Sequence, residues 1–187
     1  MAKEKNRQKL IEEIEIPEGI EVIIEDDIII MKKDSKELKR IIDESIKISK
    51  ENNKIILNVK KARRVEKKLF GTFVSHVKNM IEGLTKGFEY ELEICNVHFP
   101  MNVTFDKIKQ EFIIKNMLGE KSPRIVRAAG DIEVEIKAPY IKIKSHDIEA
   151  AGQTAANLER ATRVKYRDRN KFQDGIFITK KPGRAFL

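Results

Sequence analysis

A chain of 187 residues that is 41% apolar can bury one large core or two small ones, which excludes a disordered polycation in spite of its net charge of +8. Its single cysteine, Cys95, excludes an internal disulfide, no uncharged apolar run reaches bilayer length, and 6% aromatics without tryptophan argue against base stacking as the main mode of recognition. The start, MAKEKNRQKL, has no apolar stretch behind its charges, so an unsecreted, cytoplasmic protein is expected.

In chain order, Ile20 to Ile24 and Ile28 to Lys32 read as strands joined by the turn Glu25-Asp26-Asp27. A second hairpin, Ile46 to Lys50 with Lys54 to Val59 across Glu51-Asn52-Asn53, runs into a helix from about Arg63. There Val65, Leu69, Phe73, Val77, Met80 and Leu84 recur at steps of four and three, one apolar stripe for a sheet, with Gly83 and Gly87 marking the end. Arg63, Arg64, Lys67 and Lys68 crowd the helix start, where the macrodipole disfavours cations, and read as a solvated face.

The pattern then repeats. Phe88 to Val97 and Met101 to Phe105 read as a strand pair across Pro100, and Ile132 to Ile136 with Tyr140 to Lys144 as a hairpin across Lys137-Ala138-Pro139. Ile141 and Ile143 point one way and Lys142 and Lys144 the other, so one face is buried and one wet. A second helix starts near Asp147, with Ser145 or Asp147 as N-cap and Ile148, Ala151, Ala155 and Leu158 as its stripe. Aligning Gly71 with Gly152 superposes the two stripes. The expected fold class is α+β: two tandem similar domains, residues 1–87 and 88–187, each a mostly antiparallel sheet packed with one long helix.

Catalytic and metal signals are weak. Cys95 and His98 have a ligand-like separation, but three residues along a strand place them on opposite faces, and no second Cys or His pair is nearby. His76 and His146 have no nucleophile signature around them. Gly119-Glu120-Lys121-Ser122 is similar to the end of a phosphate-cradling loop, but Glu120 and Lys115 stand where that motif requires glycine. No catalytic residue, metal or cofactor is expected.

The charge is the informative feature. Nine basic residues and two acids lie between Arg160 and Leu187, so this stretch holds +7 of the formal +8. The nine are Arg160, Arg163, Lys165, Arg167, Arg169, Lys171, Lys180, Lys181 and Arg184. A field so local draws a polyanion to one end of the molecule, and nucleic acid is the leading candidate. From Arg163 to Lys171 the cations alternate with other residues. In extended chain this would set five of them along one edge roughly 6.5–7 Å apart, comparable to a phosphate repeat. Asp174-Gly175 reads as a turn and Ile176 to Thr179 as a short strand that tethers the run to the second domain. A second basic neighbourhood, Lys115, Lys121, Arg124 and Arg127, surrounds the flexible Gly-Glu-Lys-Ser-Pro stretch.

With these residues in view, the chain resembles the universal large-subunit ribosomal protein six family, in its archaeal and eukaryotic form. The resembling stretches are KLFGTFVSHVKNMIEGLTKGFEYELEI (68–94), NVHFPMNV (96–103), NMLGEKSPR (116–124), AAGQTAANLER (150–160) and KFQDGIF (171–177), which with the duplication cover most of the chain from about Ile11. The resemblance implies two similar α+β domains, no catalysis, and binding to large-subunit ribosomal RNA mainly through the C-terminal half. It also implies a place near the sarcin-ricin loop and the factor-binding region, with neighbouring ribosomal proteins and translation factors close by. The family's RNA-contacting extension corresponds to Arg160 through Arg184, and its loop between second-domain strands to Asn116 through Arg127. The chain departs from the pattern at Lys33-Asp34-Ser35-Lys36, where a glycine-rich turn is usual. In place of the bacterial proline-rich C-terminal motif it has YRDRNKFQDGIF, which favours the archaeal branch.

Two other functions compete. An RNA-processing enzyme with a basic substrate groove needs converging carboxylates or histidines, whereas Asp131, Glu133 and Glu135 alternate along a strand as a solvated face does. Attachment to an anionic membrane needs an amphipathic apolar face that the basic tail lacks. Neither a membrane nor a small-molecule substrate is expected as a partner.

Overall fold

The computed structural model describes residues 8–25, 27–51 and 53–185. The amino-terminal Met1–Arg7 and the turn residues Asp26 and Asn52 lie outside the described residues. Two compact units follow one another, Met1–Lys86 and Gly87–Leu187.

The first unit contains β1 (Gln8–Glu15), β2 (Glu21–Glu25), β3 (Ile28–Lys33), β4 (Lys36–Ile41), β5 (Lys47–Glu51), β6 (Lys54–Ala62) and α1 (Arg64–Thr85). Its strands form two antiparallel sheets, β1-β6-β5 and β2-β3-β4. Two strands here were not expected. β1 is half glutamate or lysine, and β4 buries only Leu38, so neither shows a sustained apolar alternation. The β3–β4 turn is the Lys33-Asp34-Ser35-Lys36 segment itself. Asp34 takes φ +53°, a left-handed conformation that aspartate tolerates better than bulky residues.

The stripe of α1 is displaced from the expected one. Phe70, Phe73, Val77, Met80 and Leu84 are buried, whereas Val65 is 65% and Leu69 38% exposed. The helix leaves its first turn in solvent, and contact with the sheets begins at Phe70. Gly83 is buried inside the helix; the end comes at Thr85, where Gly87 at φ +71° supplies the left-handed exit.

The second unit repeats this order: β7 (Phe88–Cys95), β8 (Asn102–Asp106), β9 (Glu111–Lys115), β10 (Arg124–Arg127), β11 (Glu133–Lys137), β12 (Tyr140–Ser145) and α2 (Ile148–Ala161). It then adds β13 (Gly175–Lys181) and β14 (Arg184–Ala185). The sheets are β10-β9-β8 and β11-β12-β7-β13-β14. The run β11-β12-β7 matches β5-β6-β1, so β13 occupies the side of β7 that corresponds to the outer side of β1. The expected hairpin across Pro100 does not form. β7 pairs with β12 and β13, β8 pairs with β9, and the residues between β7 and β8 carry the chain from one sheet to the other.

Strand alternation fixes this core. Leu92, Ile141, Ile143, Ala151, Ala155, Leu158 and Ile176 are fully buried, and each large aliphatic among them contributes about 1.5–3 kcal/mol relative to exposure. Ile141 faces Leu92, Ile143 faces Tyr90, and Ile176 faces Ile94. Small residues let α2 lie close to the sheet: a Cβ on Gly152 would stand 2.8 Å from the Tyr90 hydroxyl. Asp147 caps α2 by accepting from the Glu149 N–H at 2.9 Å.

Candidate nucleic-acid interface

The basic run is a loop, residues 163–174, between α2 and β13, and its base is closed by two buried polar side chains. At one side Thr162, 1% exposed, donates its hydroxyl to the Leu158 carbonyl at 3.2 Å and accepts the Ile176 N–H at 2.9 Å. This satisfies a strand-start N–H that burial would otherwise orphan, while the Leu158 carbonyl also accepts the Thr162 N–H at 3.2 Å. At the other side the Asp174 carboxylate accepts from the Val97 and His98 N–H groups, both at 2.9 Å, and meets His98 Nδ1 at 2.7 Å. Burial by itself raises an acid, but here hydrogen bonds from the His98 backbone and ring and the Val97 and Phe99 backbone outweigh it and bring Asp174 down to about 2. Asp174-Gly175 is thus no turn: Asp174 is an anchor, and Gly175 begins β13, where a Cβ would come 3.2 Å from the Phe177 ring.

The loop is also stiffened from above. His98 stacks on Phe172 with ring centroids 4.9 Å apart, and the Arg167 guanidinium lies 4.8 Å over the same ring. Asp168 makes the tip, accepting the Asn170 N–H on its side chain at 2.9 Å and the Phe172 N–H on its carbonyl at 2.9 Å. Tyr166 takes φ +60°. These two features break the extended run, so the five cations do not share one edge as alternation in extended chain would have placed them. Arg163, Lys165, Arg167, Arg169 and Lys171 are instead exposed around a folded loop.

Of the second neighbourhood, Arg124 comes to the same place. Asn116, Leu118 and Gly119 all have positive φ, which rolls the segment after β9 into a tight 3-10 turn. Arg124 then forks onto Glu120, with Nε to Oε2 at 2.8 Å and Nη2 to Oε1 at 2.5 Å, and donates Nη1 to the Ala161 carbonyl at 2.5 Å. The guanidinium holds the Glu120 carboxyl below its ordinary range. Arg124 is therefore a brace between this turn and the end of α2. The turn and the basic loop together line a cleft of about 520 Å³, with Leu118, Glu120 and Arg124 on one side and Arg160, Arg163, Lys165, Tyr166 and Arg167 on the other. A second cleft of about 700 Å³ shares Arg160 and Arg163 and adds Arg169 and Phe172.

The remaining basic positions line neither cleft. Lys115 ends β9 and Lys121 follows the tight turn, both exposed. Arg127 is bonded to Glu111 on the neighbouring strand at 2.8 Å. Lys180 reaches Glu91 at 3.5 Å, and Lys181 faces Arg184 across the β13–β14 hairpin. Among the described residues no ion pair engages Arg163, Lys165, Arg169 or Lys171. The sequence reading missed Thr162, Phe172 and Asp174 as loop supports; their partners lie as far as 77 residues away, and no local pattern signals them. Among the described residues no group of three or more His, Cys, Asp or Glu side chains could hold a metal ion.

Comparison with known proteins meets this arrangement. A family profile described as Ribosomal protein L6 matches residues 16–87. The chain is 40% identical over 175 residues to large ribosomal subunit protein uL6 of Methanococcus vannielii, an alignment covering 93% of this chain and 95% of that protein. The protein of the same name from Staphylothermus marinus is 43% identical, with 89% of this chain and 92% of the relative covered. That from Haloarcula marismortui is 37% identical, with 92% and 97% covered. Identity of this extent across both units, with the duplicated α+β architecture, means that the chain belongs to the uL6 family of large ribosomal subunit proteins.

Proposed function

We propose that the chain is a structural constituent of the large ribosomal subunit, at work in cytoplasmic ribosomes and not an enzyme, and that it binds large-subunit ribosomal RNA through the second unit. The contacts fall on the 163–174 loop, Arg160, the 116–127 segment with Lys115, and the β13–β14 hairpin. The RNA segment is the region of the sarcin-ricin loop, where translation factors and other ribosomal proteins are neighbours. The observation that carries this reading is the convergence of two basic segments, far apart in sequence, on one cleft lined by Arg124, Arg160, Arg163, Lys165 and Arg167. A-form RNA presents its phosphates more readily than its base edges, so a rigid surface of guanidinium and ammonium groups reads shape and backbone.

Relatives carrying the name of a large-subunit protein support the ribosomal assignment. The enzyme reading gains nothing from the acids on β11: Glu135 is paired with Lys137, and Glu133 is exposed on the same strand. Binding to a large-subunit RNA fragment carrying the sarcin-ricin loop, with transfer RNA in excess as competitor, tests the proposal. Competitor-resistant binding with nucleotides around that loop protected from cleavage is the expected result. Equal binding to both RNAs would reduce the surface to a generic polycation.

A further inference from the structure

Within the basic loop one side chain is out of keeping with its surroundings. Tyr166 is fully exposed, more so than any other large apolar side chain among the described residues. Its backbone sits at φ +60°, a conformation that a bulky residue adopts only at a cost. The loop holds it there because both ends are fixed, by Thr162 and by Asp174, and because Arg167, the next residue, is pinned over Phe172. A folded chain that spends backbone strain to project an aromatic ring into water gains nothing for its own stability. Nearby aromatics behave differently: Phe172 is covered by His98 and Arg167, Tyr90 is buried beneath α2, and Phe99, 45% exposed, lies against Gly119.

The ring's neighbours indicate what it meets. Lys165 and Arg167 flank it in sequence, and it shares a cleft with Arg160 and Arg163. Cations on either side of an exposed ring match a nucleotide whose phosphates are held on both sides while its base lies flat on the phenol. Within a duplex the base faces are already stacked, so only an unpaired base can meet the ring.

We propose that Tyr166 is a stacking platform for one unpaired base of the bound RNA, set between the phosphate-binding cations Lys165 and Arg167. This rests on the RNA-binding reading above. It also amends the composition argument, since a chain with few aromatics can still place one where it counts. A stacked base is sequence-tolerant, so the ring selects for an unpaired nucleotide at that position and not for its identity.

The test compares the full chain with Y166F, Y166A and Y166N, each titrated with the sarcin-ricin loop RNA fragment across a series of salt concentrations. Asparagine tolerates the left-handed backbone, so Y166N removes the ring while keeping the loop shape. Stacking releases no counterions, so loss of the ring should lower affinity on the order of ten-fold without changing the slope of log K against log salt. The expected result is that Y166F binds as the parent does and that Y166A and Y166N weaken alike on an unchanged slope. Parental affinity in Y166N would overturn the proposal, as would a flattened slope, which would mean that the phosphate contacts themselves had moved. If the unaltered chain bound no more tightly than to transfer RNA, the RNA reading would fail first, and the stacking platform with it.

Discussion

Asp174 shows how much of the basic loop's shape depends on a residue that adds nothing to its positive charge. Its carboxyl is held at about 2 by the Val97 and His98 donors, below the ordinary aspartate value, so its ionised form stabilises the fold. That contribution is complete above about pH 4 and is lost as pH falls through 2. A carboxyl held at about 2 in place of its ordinary value corresponds to about 2 kcal/mol. Asp174→Asn should therefore lower the stability of the second unit by about that amount at neutral pH. The gap between variant and parent should narrow when urea unfolding is repeated between pH 4 and pH 2; a gap independent of pH would mean that the charge of Asp174 is not what matters. Thr162 supports the other side of the loop. Thr162→Val keeps the shape but leaves the buried Ile176 N–H without an acceptor, at a cost of roughly 1–3 kcal/mol in the same measurement. These two residues could not be read from the sequence. A dipeptide Asp-Gly signals a turn on local grounds, and only the approach of Val97 and His98 from another strand end makes it an anchor.

At the scale of elements, what was legible depended on whether a strand carried its own alternation. The β11–β12 hairpin, with Ile141 and Ile143 buried and their neighbours wet, was readable to within a residue. β10, two arginines in four residues, and β1, with its glutamates, carry no such signature and take their strand character from their partners. The false hairpin across Pro100 came from assuming that adjacent strands pair, whereas β7 instead runs through the middle of a five-stranded sheet. That position also decides how the basic tail can be studied. β13 pairs along β7 and buries Ile176 completely, so a chain ending at Glu159 would lose core and an edge-covering strand, not merely charge. Hydrogen exchange should show loss of amide protection along β7 in that truncation. Replacing only residues 163–171 by a glycine-serine linker should preserve it. Protected β7 amides in the truncated chain would show that β13 is dispensable to the sheet.

For the whole molecule, one architecture occurs twice with different endings. Both units carry the same order of strands, sheets and helix, but the second adds β13 and β14 and, between α2 and β13, the loop that concentrates the charge. The repeat was visible in sequence because apolar stripes recur at matching positions. The convergence of the 116–127 segment on the basic loop was not, since it depends on the left-handed turn at Asn116 and Leu118 and on Arg124 reaching the Ala161 carbonyl. Charge named the partner class from composition alone, and folding decided which cations stand together. The most direct test of that account is a salt titration of RNA binding for the full chain and for the triple variant R163Q/R167Q/R169Q, with far-ultraviolet circular dichroism confirming that both are folded. Each phosphate contact removed should reduce the magnitude of the slope of log K against log salt by about 0.7–0.9, so the variant should bind more weakly with a slope shallower by roughly two to three. Equal affinity and equal slope in parent and variant would contradict the assignment of the RNA interface to this loop.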